Sequence, residues 1–476
     1  MEISFLGAAS TVTGSKYLVT TSERRILVEC GLFQGLKELR LRNWAPLPIP
    51  VHTIDAVVLT HAHMDHSGYL PSLRKQGFTG KIFCTAATLD LCGLLLRDSG
   101  SIQEEDAAYA NKKGFSKHHP ALPLYTQKDA EAVLHQFSTV PWEREHYLGG
   151  GISVRFSPAG HILGAAIVTL QTPEGRIVFS GDLGRMRDPI MRPPVPVAEA
   201  DWLVIESTYG DRLHENADPE EQLAAVVRRV TDRGGVLLIP AFAVGRSQLM
   251  LYYLHRLKER GLFKNVPVFL NSPMAANVGE ILCEYHLEHA LSAVETRAVC
   301  NTARIIQDVA ESRALNERRG PMIIVSASGM LTGGRILHHL KAFGHDPKNG
   351  ILLAGYQAPG TRGGDLVRGA KALKIHGGMV PILAEVFTMD TLSAHADQDE
   401  LMLWLRGFQS PPKTTFITHG EPPAAATLAQ RIEKELGWSC DIPTHGARVT
   451  LEGGKLGRRA QEAPNPSENP AGSINI

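Results

Sequence analysis

Three histidines and an aspartate are crowded into the short stretch His61–His66, which reads HAHMDH. The preceding run Ala56–Leu59 is apolar and partly β-branched, which predicts a buried strand, and Ser67–Gln76 is predicted as a helix. Imidazoles packed together repel one another when protonated and need partners when neutral, and a shared metal ion removes both difficulties. The stretch therefore indicates a metal site at a strand-to-helix turn, with a histidine-rich surface loop as the alternative.

The spacing within this stretch suits more than one ion. Residues i and i+2 of an extended segment point to the same side, so His61 and His63 can bind one ion together. Asp65 and His66 follow at the turn itself and can face a second ion nearby. A tetrahedral ion needs more ligands than this turn supplies, and two ions need a bridging group, so further ligands are expected elsewhere in the chain.

Three later segments have a similar form, because an apolar strand ends in a histidine or an aspartate next to a glycine. The ligand candidates at these strand ends are His161, Asp182 and His419. Ligands of open sheets tend to bind at the carboxyl ends of the strands. We therefore expect these three side chains to converge on the HAHMDH stretch.

The full set of motifs resembles a known fold: HxHxDH, a later single histidine, an aspartate after Ser-Gly, and a late histidine are similar to the metallo-β-lactamase pattern. Glu206, His395 and His419 resemble motifs A, B and C of its β-CASP branch, which contains nucleases. The resemblance covers roughly residues 1–450. It implies an α/β fold, a metallo-β-lactamase αββα sandwich with an inserted β-CASP α/β domain whose parallel sheet is flanked by helices.

The resemblance also implies two Zn²⁺ ions per chain. It assigns His61, His63 and His161 to one zinc, Asp65, His66 and His419 to the other, and Asp182 to both as a bridge. Two such ions lower the pKa of a trapped water, and the resulting hydroxide attacks phosphorus. Asp65 and Asp182 are therefore expected as catalytic groups as well as ligands.

Three residues outside the ligand set receive roles from the same resemblance. His395 is the expected general acid, which protonates the leaving oxygen, and Glu206 is expected to accept a hydrogen bond from it and orient it. The alternative for His395 is a further metal ligand or a structural residue. Glu29 stands where the family usually has an aspartate that orients the metal site, and its extra methylene changes the hydrogen-bond geometry.

The pattern of elements changes along the chain and predicts its domain organisation. Residues 1–208 are expected to form the first part of the metallo-β-lactamase domain, and the strand–helix alternation of 209–390 predicts an inserted β-CASP domain with a parallel sheet. Residues 391–456 return to the first domain and carry His395 and His419. The polar, proline-rich tail 457–476 is predicted to be disordered.

Loops of the insert contain groups that can bind phosphate. Arg246 and Arg335 each lie near a predicted helix N-terminus, where backbone N–H groups and the helix dipole favour anions. The full set of phosphate candidates is Arg246, Ser326, Ser328, Arg335 and Arg362. Simple turn chemistry of the glycines in these loops is the alternative.

The composition of the chain limits the kinds of partner and the cellular location that we expect. The chain has 476 residues with 49 basic and 49 acidic side chains, which argues against a uniformly basic coat for nucleic acid. The first residues lack the features of a signal peptide, and no apolar run of about 18 residues predicts a membrane helix, so no membrane partner is expected. The six cysteines are scattered without a C-x-x-C pair, which favours reduced thiols and a cytoplasmic protein.

The resemblance, together with the ligand pattern, implies a zinc-dependent ribonuclease that cuts single-stranded RNA in an endonucleolytic mode. Members of the β-CASP group that act on RNA have histidine at motif C, as His419 does here, whereas DNA-directed members typically have valine. The alternatives are a DNA-directed β-CASP nuclease, a thioester or lactam hydrolase on the same fold, and a non-catalytic RNA-processing partner. The sequence does not determine the oligomeric state, and a homodimer is one of the alternatives.

Overall fold

Two sheets packed face to face form the larger part of the computed structural model, which describes residues 1–114, 116 and 118–451. The tail predicted at 457–476 lies outside the described residues. The first sheet has the strand order Arg448–Thr450, Glu2–Phe5, Tyr17–Thr20, Arg25–Val28, Ala56–Val58, Lys81–Cys84 and Phe137–Thr139. The second sheet has the strand order Cys440–Asp441, Thr414–Thr418, Trp202–Glu206, Gly175–Phe179, Ala166–Thr172, Ile152–Pro158 and His146–Gly149.

An apolar core fills the space between the two sheets, because alternate residues of each strand point inward. The Phe5 and Phe416 ring centroids lie 5.1 Å apart across this core, and those of Tyr17 and Phe179 lie 5.7 Å apart. Tyr17 also donates a hydrogen bond to Thr418 Oγ1 at 3.0 Å. The inward-facing aromatic rings and this bond hold the two sheets together.

Helices cover the outer faces of the sandwich. The helices that flank the two sheets are Lys37–Arg42, Met64–Ser67, Leu70–Lys75, Ala86–Lys113, Gln127–Leu134, Gln398–Leu405 and Pro422–Leu436, with 3₁₀ turns at Val51–Thr53 and Asp390–Leu392. The helix Ala86–Lys113 is 28 residues long. It begins after Thr85, whose hydroxyl accepts from the N–H of Thr88 at 3.3 Å, and ends at Gly114 with a φ of 64°.

A third sheet is built from a separate stretch of the chain. Its strands, all parallel, have the order Arg304–Ile305, Val268–Leu270, Met322–Ser326, Val236–Pro240, Gly350–Ala354 and Glu385–Met389. Its helices are Pro219–Thr231, Arg246–Glu259, Pro273–Glu284, Ala293–Cys300, Val309–Glu317, Ile336–Phe343 and Arg362–Val367. A small hairpin pairs Ala372–Ile375 with Gly378–Pro381. The predicted parallel sheet in this part of the chain is confirmed.

Parallel pairing brings strand ends to one edge of the sandwich. In the first sheet Arg25–Val28, Ala56–Val58 and Lys81–Cys84 run in parallel. In the second sheet the same holds for Gly175–Phe179, Trp202–Glu206 and Thr414–Thr418. The residues that directly follow these strands therefore meet at a common edge. No helix among the described residues is long and apolar enough to cross a membrane.

Candidate active site

The HAHMDH turn is held in place by backbone hydrogen bonds from the neighbouring loops. Ser15 N–H donates to the carbonyl of Asp65 at 2.8 Å, and Cys30 N–H donates to that of His66 at 2.7 Å. Gly31 lies so close that a Cβ there would stand 1.5 Å from the Asp65 carbonyl oxygen. Only glycine permits this approach, so Gly31 is a requirement of the turn.

One group of side chains lies at the start of this turn. His61, His63, His161 and Asp182 bring their ligand atoms within 4.8 Å of one another. The His63 Nδ1 atom lies 3.2 Å from His61 Nε2 and 3.2 Å from His161 Nε2. A second group, with the same limit on its distances, consists of Asp65, His66 and His419.

The Asp182 carboxylate lies between the two groups. Its Oδ2 atom is 3.4 Å from His61 Nε2 and 3.5 Å from His161 Nε2. Its Oδ1 atom is 3.4 Å from His66 Nε2 and 3.5 Å from His419 Nδ1. One carboxylate oxygen thus faces each group, which is the arrangement required of a bridging ligand.

Hydrogen-bond partners around the cluster contact further ring nitrogens of these histidines. The His161 Nδ1–H group donates to the Ala394 carbonyl at 3.3 Å, and Nδ1 of His61 lies 2.9 Å from the Thr60 hydroxyl. The hydroxyl of Thr208 lies 3.2 Å from His419 Nδ1. In His61 and His161 the outer partner binds Nδ1 and leaves Nε2 to face inward, as the partners of metal-bound histidines do. In His419 the Nδ1 atom contacts both Thr208 and Asp182.

Glu29 is the outer partner of His66. Its Oε2 atom accepts from His66 Nδ1–H, and its Oε1 atom accepts from the N–H of Thr60 at 2.6 Å. Glu29 has a φ of 68° and is 1% exposed. The longer side chain therefore reaches His66 and the strand end together, from the place where the family resemblance implies an aspartate.

Burial and charge set the protonation of the cluster. Burial lowers the pKa of His61 and His161 well below the usual value, and that of His63 to about 4. These imidazoles are neutral near pH 7 and keep a lone pair for a cation. Burial also acts to lower the pKa of His66, but the carboxylates of Asp182, Glu29 and Asp65 outweigh it and raise that pKa well above the usual value.

The donor set fits a metal ion on two counts. Imidazole nitrogens and carboxylates in groups of three and four are the ligand types and numbers that zinc takes in proteins. The Asp182 Oδ1 atom is buried and has no hydrogen-bond partner among the described residues. A buried carboxylate oxygen facing imidazole nitrogens without a hydrogen bond is satisfied by a cation.

His395 lies beside the cluster and is bound to Glu206. Its Nδ1 atom is 3.2 Å from each oxygen of the Glu206 carboxylate. Its ring centroid is 4.5 Å from that of His161. The side chain of His395 is 18% exposed, whereas that of Glu206 is 1% exposed. The unshared nitrogen of His395 is therefore the part of this pair that a substrate can reach.

His214, which the sequence motifs do not indicate, supports His395. The His214 Nε2–H group donates to the His395 carbonyl at 3.0 Å, and the N–H of His214 donates to Asp397 at 3.1 Å. His214, Asp397 and Glu400 form a further group of close ligand-type atoms. His214 lies in a loop without periodicity, so the only sequence indication was its position shortly after Glu206.

Three of the five phosphate candidates of the insert form hydrogen bonds within the protein. The hydroxyl of Ser326 is fully buried and donates to the Asn271 carbonyl at 2.9 Å. Arg335 donates to Asn271 Oδ1 at 2.8 Å and to two backbone carbonyls, and Arg362 donates to three backbone carbonyls. Their donors are thus used within the protein, and the expectation of phosphate binding has no support from the placement of these three residues.

The other two candidates differ from each other. Ser328 accepts from the N–H groups of Thr332 and Gly333 at 3.0 and 3.2 Å, which organises its own loop. Arg246 begins the helix Arg246–Glu259, as expected from its position after a predicted strand. Its Nε and Nη1 atoms are buried and have no hydrogen-bond partner within the described part of the chain. The Nε and Nη1 donors of Arg246 are therefore not used by other groups in the described part of the chain.

Comparisons with known proteins agree with the motifs. The family model described as the metallo-beta-lactamase superfamily matches residues 11–225, and the Beta-Casp domain model matches 247–366. The model described as a Zn-dependent metallo-hydrolase RNA specificity domain matches 379–443, which contains His395 and His419. All three models are therefore matched in the order implied by an inserted domain.

Named relatives match along most of the chain. Ribonuclease TTHA0252 of Thermus thermophilus is 36% identical over 88% of this chain and 93% of its own length. The transcription termination factor FttA of Methanocaldococcus jannaschii is 31% identical, over 91% of this chain and 69% of its own. A protein of unknown function from Enterococcus faecalis V583 shares the fold, with a TM-score of 0.53 at 14% identity over 94% of this chain and 99% of its own.

These matches bear out the resemblance and the fold class expected from the sequence. The paired sheets with outer helices are the metallo-β-lactamase sandwich, and the parallel sheet between Val236 and Met389 belongs to the inserted domain. The zinc-dependent domain description and the histidine–aspartate groups together imply a metal cofactor. The chain therefore belongs to the β-CASP ribonuclease family of the metallo-β-lactamase superfamily.

Proposed function

We propose that this protein is a zinc-dependent endoribonuclease that hydrolyses single-stranded RNA. Relatives named as a ribonuclease, a transcription termination factor and an RNase J-like protein support a function in RNA metabolism. The observation that carries the proposal is the position of Asp182, with one oxygen facing each of two ligand groups and His395 beside them.

In this proposal the cluster holds two zinc ions. His61, His63 and His161 would hold the first, Asp65, His66 and His419 would hold the second, and Asp182 would contribute to both. When bound, such a pair of ions supplies Lewis acidity to the attacking water and to the phosphate oxygens. The outer hydrogen bonds from Thr60, Glu29 and Thr208 keep the ligand nitrogens oriented, so the site needs little rearrangement on binding.

In this proposal His395 is the general acid of the reaction. Hydrolysis forms a new bond between water oxygen and phosphorus and breaks the bond to the leaving oxygen, which then needs a proton. His395 donates that proton from the nitrogen that does not contact Glu206. Glu206 accepts from Nδ1–H and thereby stabilises the protonated ring, and it is itself held by the N–H groups of Leu183 and Thr208 at 2.6 and 3.3 Å.

Arg246 is the proposed contact to the substrate backbone. Arg246 lines a cavity that His161, a member of the ligand cluster, also lines. Its unused donors suit phosphate oxygens, which accept charge-assisted hydrogen bonds. Contacts of this kind position a nucleic acid without reading its sequence.

A digest of end-labelled RNA tests the proposal. The zinc-loaded protein should cut a single-stranded oligomer labelled at the 5′ end into internal fragments, and the same oligomer labelled at the 3′ end should give the complementary lengths. Release of single labelled nucleotides from the 5′ end would show that the enzyme is a 5′ exonuclease and not an endonuclease. Intact RNA with both labels would contradict the ribonuclease assignment.

A further inference from the structure

Two cysteines of the inserted domain lie next to each other. Cys283 is the residue before the last of the helix Pro273–Glu284, and Cys300 is the last residue of the helix Ala293–Cys300. Their Sγ atoms are 3.9 Å apart, and both thiols are free. The two helices pack against each other, and neither cysteine belongs to the ligand cluster.

A glycine makes room for the contact between the two sulfur atoms. Gly279 lies one turn before Cys283 and on the same face of its helix. A Cβ at this position would stand 3.2 Å from the Cys300 Sγ atom, and the Cys300 thiol donates to the Gly279 carbonyl at 3.6 Å. A larger residue would press on the Cys300 sulfur, so Gly279 lets the two thiols approach.

A disulfide between these two residues requires only a small movement. The sulfur atoms of a disulfide are about 2.05 Å apart, so each Sγ atom has to move by roughly 1 Å. Cys283 and Cys300 both lie in the last turn of a helix, where the backbone is less constrained than in the interior. Side-chain rotation together with this freedom can bring the sulfurs to bonding distance.

The pair differs from the other close cysteines of the chain in its exposure. Cys30, Cys84 and Cys92 are fully buried, which keeps reagents away from their sulfur atoms. Cys283 and Cys300 are only half-buried, so a small molecule can approach them from solvent. Reactive thiols are those that combine exposure with a suitable partner.

We propose that Cys283 and Cys300 are a reversible modification site, at which a small disulfide such as oxidised glutathione converts the two thiols into one intramolecular disulfide. The proposal does not depend on the ribonuclease assignment, because it concerns groups outside the ligand cluster. Disulfides of proteins that keep their thiols reduced are usually transient and respond to the redox state of the surroundings.

The exchange proceeds in two steps. The Cys283 thiol loses its proton, attacks one sulfur of the reagent and forms a mixed disulfide, and the first thiolate that leaves takes up a proton. The Cys300 thiol then loses its proton and attacks the Cys283 sulfur, which releases the second thiolate to be protonated in turn. Two thiols of the protein are thus oxidised to a disulfide, while the S–S bond of the reagent is reduced to two thiols.

The order of attack follows from the surroundings of Cys300. Burial and the neighbouring Cys283 raise the pKa of Cys300 to about 12, so its thiolate is scarce near neutral pH. Cys283 is therefore the first nucleophile, and Cys300 completes the disulfide. The repulsion by a Cys283 thiolate disappears once Cys283 has formed the mixed disulfide, which makes the ionisation of Cys300 easier at that stage.

The disulfide joins the two ends of a segment that contacts the sandwich. Within this segment the Tyr285 hydroxyl donates to Asp90 at 2.6 Å, and the N–H of Ala290 donates to the Ile190 carbonyl at 2.7 Å. A cross-link that closes a loop removes open conformations of the chain inside it. Both contacts between the inserted domain and the sandwich therefore become harder to break in the oxidised form.

Thiol exchange on the zinc-loaded full chain tests the site. After treatment with oxidised glutathione, two of the six thiols should disappear, and peptide mapping should find a bond between Cys283 and Cys300. Excess dithiothreitol should restore all six thiols. Six thiols that persist at equilibrium, glutathione adducts without the bond, or a bond to another cysteine would each overturn the proposal.

Serine variants separate the two steps. Cys300→Ser should stop at one glutathione adduct on Cys283, and Cys283→Ser should react at Cys300 at least roughly tenfold more slowly because that thiolate is scarce. Cys440→Ser is the matched control, since Cys440 is also half-buried but lies on a strand of the second sheet, and it should form the disulfide as the parent does. Equal rates in the two single variants would overturn the order of attack.

Hydrogen exchange tests the effect on the segment. The Ala290 amide should exchange at least roughly tenfold more slowly in the oxidised form than in the reduced form, because its bond to Ile190 opens less often. The Thr415 amide, which donates to the Ser439 carbonyl at 2.9 Å within the sandwich, is the control with an unchanged rate. Equal rates at Ala290 in the two forms would overturn the stabilising effect of the disulfide.

Discussion

His395 Nδ1 lies at the same distance, 3.2 Å, from both oxygens of the Glu206 carboxylate. Glu206 cannot turn away, because it also accepts from the backbone N–H groups of Leu183 and Thr208. The imidazole is therefore held by a rigid carboxylate, while its other edge is left to the substrate. Burial acts to lower the pKa of His395, but the charges of Glu206 and Asp182 outweigh it and raise that pKa.

Removing this imidazole should affect the chemistry without removing the metal. His395→Ala is expected to retain its zinc content and its thermal unfolding midpoint but to lose about 10²–10⁴-fold in kcat, the usual contribution of a general acid. Metal analysis and single-turnover kinetics on the same preparation measure both effects. Loss of zinc in parallel with activity would instead make His395 a ligand.

The charge of Glu206 should control the pH dependence. His395 must be protonated to act as an acid, so kcat falls as the pH rises through its pKa. Because Glu206 raises that pKa, Glu206→Gln should lower it and move the falling limb of the kcat profile to lower pH. Glu433→Gln, on the exposed side of the helix Pro422–Leu436, is the control with an unchanged profile. An unshifted limb in Glu206→Gln would speak against the pairing.

Two arginines of the insert should respond differently to replacement. Arg335→Ala loses bonds to Asn271 and to two carbonyls, so the free energy of unfolding should fall by about 1–3 kcal/mol while the salt dependence of RNA binding stays the same. Arg246→Ala should lower the slope of log K against log salt by roughly 0.7, the loss of one phosphate contact. Equal slopes in the parent and Arg246→Ala would place the phosphate contact elsewhere.

Binding of both zinc ions should depend on Asp182. Zinc reconstitution of the unaltered chain is expected to give about two equivalents, and Asp182→Asn should reduce occupancy at both positions because one oxygen faces each ligand group. Replacement of an outer partner, Thr208→Val, should weaken the site that contains His419 more than the other. A stoichiometry that stays at one after reconstitution would contradict the dinuclear assignment.

The convergence of His61, Asp182 and His419 was predictable from the sequence because each of these residues follows a short strand. Short apolar runs before His61, Asp182 and His419 are sufficient to place three ligands at one edge, once the strands pair in parallel. The helix Ala86–Lys113 likewise has local signals at both ends, a capping threonine at position 85 and a glycine at position 114. These features depend on local sequence, and the family motifs supplied the rest of the cluster.

Features that depend on distant contacts were not predictable. The single helix expected at Ser67–Gln76 is two helices, Met64–Ser67 and Leu70–Lys75, because Tyr69 N–H donates to the Cys30 carbonyl at 2.8 Å instead of continuing the first helix. Likewise, the partners of Arg335 and Arg362 come from elsewhere in the chain. The position of Arg335 near a helix N-terminus predicted an anion site. In the structure its guanidinium instead donates to Asn271 Oδ1 and to the Gln307 carbonyl.

The most direct test of the central claim is a matched pair of single-stranded oligomers, one RNA and one DNA of the same sequence, under identical zinc and salt. The account predicts that the RNA is cut internally at least roughly tenfold faster, about 1.4 kcal/mol in transition-state binding, and that Asp182→Asn abolishes cleavage of both. Equal rates, or faster cleavage of the DNA, would contradict the assignment to RNA, and activity retained by Asp182→Asn would contradict the metal mechanism.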